Sequence, residues 1–63
     1  MDRTEIREAM EEAELIRPRV VPVRLRSGEV VYDLSAGPPQ ERKTERCDGD
    51  DDAVAAAILA LQE

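Results

Sequence analysis

Val20-Val21-Pro22-Val23-Arg24-Leu25-Arg26-Ser27-Gly28-Glu29-Val30-Val31-Tyr32-Asp33-Leu34-Ser35 alternates on either side of a single Ser-Gly pair. Glycine reaches positive φ at little steric cost, so Ser27-Gly28 reads as the turn of a β-hairpin over residues 20–35. With those two residues central, Leu25 lies opposite Val30, Val23 opposite Tyr32, and Val21 opposite Leu34. All six are apolar and share one face. The other face pairs Arg26 with Glu29, Arg24 with Val31, and Pro22 with Asp33. A slip of one residue would exchange the faces, so this register is a sharp expectation. Pro22 has no N–H to give to a ladder. A four-residue loop, Arg26 to Glu29, turns position 22 outward and puts the first strand at a sheet edge.

A hairpin alone is marginal and needs a cover. Upstream, residues 2–17 read as an amphipathic helix. Asp2-Arg3-Thr4-Glu5 has the spacing of a capping box. Ile6, Ala9, Met10, Ala13 and Ile16 recur at the spacing of one helical face, while Leu15 falls off it. Arg7–Glu11 and Glu14–Arg17 are spaced for pairing along the helix surface. Pro18 disfavours helical geometry at Arg17 and stops the element.

Downstream, residues 36–50 carry Ala-Gly-Pro-Pro, then Gln-Glu-Arg-Lys-Thr-Glu-Arg, then Cys-Asp-Gly-Asp. They show no apolar periodicity and read as a mobile loop, because charged polar stretches bury too little apolar surface to offset ordering entropy. Residues 51–62 read as a second helix, with Asp50, Asp51 or Asp52 at its cap. Ala53 to Leu61 contains no charge, and such a helix is normally buried all round. The fold class expected is α+β: a small single domain of helix, hairpin, long loop and helix, with the hairpin's apolar face packed on Ile6, Met10, Ala13 and Ile16.

Composition narrows the function. The chain has 63 residues, nine basic against fifteen acidic, and a net charge of −6. It has one Cys and no His, Trp or Phe. A catalytic Cys47 would lack a base, and one Cys without His cannot cage zinc. Glu8, Glu11, Glu12 and Glu14 on a helix surface lack the shelter that paired-carboxylate catalysis needs. Counted from Asp48 as an EF-hand loop, Ala53 and Leu59 stand where Gly and Glu are required. No enzyme activity, cofactor or metal is expected. No apolar run is long enough to span a bilayer and no secretory h-region opens the chain, so a cytoplasmic location is expected. Eight of the nine basic residues are Arg. GC-rich codons alone favour Arg, Asp, Glu, Ala, Val and Gly, and a Lys-poor, acid-rich surface is equally what keeps proteins soluble in salt-rich cytoplasms.

Eight of the 26 apolar residues are Ala, and a chain this short is marginal on its own core. The expectation is therefore a small acidic interaction or regulatory protein that self-associates as a homodimer, or takes one protein partner. Its interface would be Val54, Ile58, Leu59 and Leu61 of the C-terminal helix. An alternative uses Arg17, Arg19, Arg24 and Arg26 around the first strand to meet nucleic acid. Glu29 and Asp33 across the hairpin are placed to neutralise part of that charge. A further alternative is an acidic decoy that occupies a basic groove on a target.

Overall fold

A computed structural model describes all 63 residues, in the order α1 (Arg3–Glu12), β1 (Arg19–Arg24), β2 (Val30–Ala36), a 3₁₀ turn (Pro39–Glu41), β3 (Lys43–Cys47) and α2 (Asp51–Gln62). The three strands form one antiparallel sheet in the order β1-β2-β3. Both helices pack on one side of it, α1 against β1 and α2 chiefly against β3. The architecture is α+β. No helix is long and apolar enough to cross a membrane.

The capping box opens α1 as its sequence requires: Glu5 N–H donates to Asp2 Oδ1 at 2.9 Å, and Asp2 N–H to Glu5 Oε1 at 3.4 Å. The helix then ends at Glu12, five residues short of the expected boundary. Glu14 turns into the left-handed region at φ 60°. Its N–H donates to Glu11 O, and Leu15 N–H reaches back to Met10 O at 3.2 Å. This is a Schellman closure with Glu in the position that glycine usually fills. The early stop redistributes the apolar stripe. Ile6 and Met10 are fully buried, Leu15 folds onto the core, and Ile16 is left 58% exposed. Arg7 Nε meets Glu11 Oε1 at 3.5 Å as the spacing implied, whereas Glu14 and Arg17 lie beyond the helix and form no pair.

The hairpin pairs Arg24 with Val30, Val23 with Val31, Pro22 with Tyr32, Val21 with Asp33 and Val20 with Leu34. That is one residue out of the expected register. The cause is the turn. Gly28 takes φ 92°, its N–H donates to Leu25 O, and Leu25 N–H donates to Glu29 O at 2.8 Å. Arg26-Ser27-Gly28 is thus a three-residue loop closed by a glycine bulge, which shifts the partner strand by one. Val20 and Leu34 now face the helices, and Val21 and Val23 face the open side. There they lie beside Val31, which is only 7% exposed yet stands outside the main core. Pro22 is on the edge strand, where its missing N–H costs no ladder bond.

Residues 43–47, expected within a loop, form β3 instead. Lys43, Thr44, Glu45 and Arg46 are all exposed and only Cys47 is buried, so the strand carries no alternating apolar signal. Backbone pairing with β2 and a two-pronged contact hold it. Arg46 donates from Nε and Nη2 to the two Asp33 carboxylate oxygens at 2.7 and 3.1 Å. Its arrival adds Ala36 and Cys47 to a core completed by Ile6, Met10, Val20, Leu34, Val54, Ala57 and Leu61.

Candidate functional site

Two surfaces stand apart from the rest. The first lies between the helices. The face of α2 directed at the sheet buries Val54, Ala57 and Leu61. Ala55 and Ala56 are exposed, Ile58 is half-buried and Leu59 is 61% exposed. Of the four residues expected to meet a partner, Val54 and Leu61 therefore belong to the chain's own core, and α2 is not buried all round. Met1, Ala9, Val54, Ala55, Ile58 and Leu59 line a shallow groove of about 350 Å³, with Asp51 as its only polar lining residue. Val54 forms part of this lining from its core position. Met1 and Ala9, from the other end of the chain, join only because α1 lies alongside α2, so no local pattern in the α2 sequence announces them.

The second surface is basic. Arg7, Arg17, Pro18, Arg19 and Arg42 line an open hollow of about 490 Å³ with no carboxylate in its wall. The four arginines expected around β1 divide. Arg17 and Arg19 stand at the start of the strand and enter this hollow, while Arg24 and Arg26 stand at its far end and in the turn. None of the four contacts a carboxylate. The expected neutralisation across the hairpin fails because the shifted register removes Glu29 from Arg26, and Asp33 is held by Arg46 on β3. Two arginines unseen by sequence reasoning, Arg7 from α1 and Arg42 from the segment before β3, complete the hollow.

Arg42 organises it. Its guanidinium donates to Gly37 O at 2.8 Å, Arg17 O at 2.9 Å and Ser35 Oγ at 3.2 Å. Gly37 N–H also donates to Ile16 O at 2.8 Å. These bonds fix Arg17 at φ 48°, a conformation unfavourable for a residue with a Cβ and more so before proline. Such strain persists only where surrounding structure imposes it.

Asp48 Oδ1 accepts from Asp50 N–H at 3.0 Å, and Asp50 occupies the cap position of α2 without a side-chain cap bond. No group of three or more Cys, Asp and Glu side chains is placed to hold a metal ion. Cys47 is buried in the core, and burial is the main cause that raises its thiol above the ordinary cysteine range. Comparison with protein-family models, curated proteins and solved structures finds no match.

Proposed function

We propose that the protein is a non-enzymatic interaction module of the cytoplasm that self-associates through the groove between α1 and α2. One observation carries the reading: a projecting apolar side chain, Leu59, stands beside an apolar hollow walled partly by Ala9 and Ala55. A two-fold contact must be self-complementary, and a knob beside a hollow meets that demand when each copy's Leu59 enters the other's groove. Small alanines allow the two α2 helices to approach closely. The gain falls on a chain whose own core is thin, where each newly buried Leu or Ile adds about 1.5–3 kcal/mol.

Sedimentation equilibrium over a concentration series, at low and high salt, tests the reading. A two-chain mass at high concentration is expected. It should strengthen with salt, because two chains of charge −6 repel and salt screens the repulsion. Leu59→Glu should return the single-chain mass and lower thermal stability together, since folding and association are linked by mass action. A single-chain mass for wild type at every concentration and salt overturns the proposal.

A further inference from the structure

The geometry points to the hollow of Arg7, Arg17, Arg19 and Arg42 as a binding site for a phosphate monoester group. In a chain with fifteen carboxylates and nine basic side chains, four guanidinium groups gather around one open depression. The only carboxylate any of them contacts is Glu11, at Arg7, and it lies outside the wall. The gathering is also built rather than incidental. Arg42 crosses 25 residues of sequence to hold the Arg17 carbonyl, and Pro18 fixes the backbone between Arg17 and Arg19.

Guanidinium forks match the oxygens of a phosphate in pairs, which makes arginine the favoured side chain for this group. Arg42 has two of its nitrogens committed to protein oxygens and acts mainly as fixed charge. Arg17 and Arg19 have no protein carboxylate to satisfy and are the direct ligands. The dianion is matched by two free forks. A nucleic-acid strand fits less well. The chain's single aromatic residue, Tyr32, packs on the core, so no ring is offered for base stacking. Arg24 and Arg26, which would extend a phosphodiester track, lie at the other end of the hairpin.

The test is an NMR titration of wild-type protein at low ionic strength with four probes: inorganic phosphate, a phosphoserine peptide, the same peptide unphosphorylated, and a single-stranded oligonucleotide. Saturable shifts at Arg17, Arg19 and Arg42 are expected with the first two and none with the third. Equal affinity for phosphate and phosphopeptide identifies the free ion as sufficient; tighter peptide binding identifies a phosphorylated protein, and both support the site. Arg17→Gln and Arg19→Gln should each weaken binding about tenfold, the worth of one charge-assisted contact. Arg24→Gln makes the same change in net charge elsewhere and should leave affinity unchanged. Equal losses in all three variants, no saturable shift with any phosphate probe, or tightest binding by the oligonucleotide would each overturn the assignment.

Discussion

The Arg42 guanidinium bonds the Arg17 carbonyl oxygen at 2.9 Å, joining the segment before β3 to the turn that follows α1. The same group holds Gly37 and Ser35, so one side chain ties three parts of the chain. Replacing Arg42 with Met keeps much of the apolar stem and removes the fork. Urea unfolding should show a loss of about 1–3 kcal/mol, the range for hydrogen bonds to a charged group. Arg42→Lys should recover only part of this, since an ammonium cannot reproduce a planar three-partner fork.

Glu14 occupies the left-handed position that closes α1. Glycine adopts it without Cβ strain, which for other residues costs about 1–2 kcal/mol. Glu14→Gly also frees the unfolded chain, offsetting part of the gain. A net stabilisation of about 0.5–1 kcal/mol is expected, visible as a rise of a few degrees in Tm by calorimetry. A fall in Tm would mean that the carboxylate itself contributes.

Gly28 and Gly49 both have positive φ, +92° and +94°, but their surroundings differ. A Cβ at Gly28 meets nothing within 4 Å, whereas at Gly49 it comes within 3.0 Å of the Tyr32 ring. Both alanine variants should lose the backbone term of about 1–2 kcal/mol. Gly49→Ala should lose more, because the Tyr32 ring must also move. Equal losses in parallel denaturant titrations would show that Tyr32 yields freely.

The hydrogen bonds from Arg46 hold the Asp33 carboxyl below its usual range. A depressed folded value means that its contribution to stability is present above the unfolded pKa of about 4 and is lost as the pH falls through the folded value. Asp33→Asn should therefore reduce stability at neutral pH and flatten the fall between about pH 4 and the acid limit. Stability curves for the two proteins should converge at low pH.

Burial chiefly raises the Cys47 thiol, and the nearby Asp48 and Asp33 charges add to the rise. A raised folded value works in the opposite sense. Its contribution is fully present below the unfolded pKa of about 8.5 and is lost as the pH rises through the folded value. Reaction with a disulfide reagent should be slow in native buffer and fast in denaturant, and Cys47→Ser should remove part of the alkaline loss of stability.

These outcomes divide by how local their causes are. The capping box and the bounds of α2 were legible because their determinants lie within a few residues of each other. Glu14 gave no signal, since a glutamate in the left-handed region looks like helix continuation until Leu15 packs. Gly28 announced a turn but not its length, and the apolar set on both strands was rich enough to make two registers look sound. Val21 and Val23 thus fell on the open face although the hairpin itself was correct. β3 was invisible because its only buried side chain is Cys47. Of the basic hollow, Arg17 and Arg19 were readable, while Arg7 and Arg42 come from elements that only tertiary packing brings near.

Pro22 on β1 and the Lys43-Thr44-Glu45-Arg46 run on β3 occupy the two outer strands of the sheet. An outer strand is a template on which another chain can add, and proline and closely spaced charges spoil that template. Both margins of this sheet are therefore poor seeds for strand-by-strand growth. A concentrated solution of the protein should resist fibre formation even with three valines on its uncovered sheet face. Lys43→Val with Glu45→Val would restore an apolar period on β3, and that double change is the one most apt to turn this small domain into a fibre-forming one.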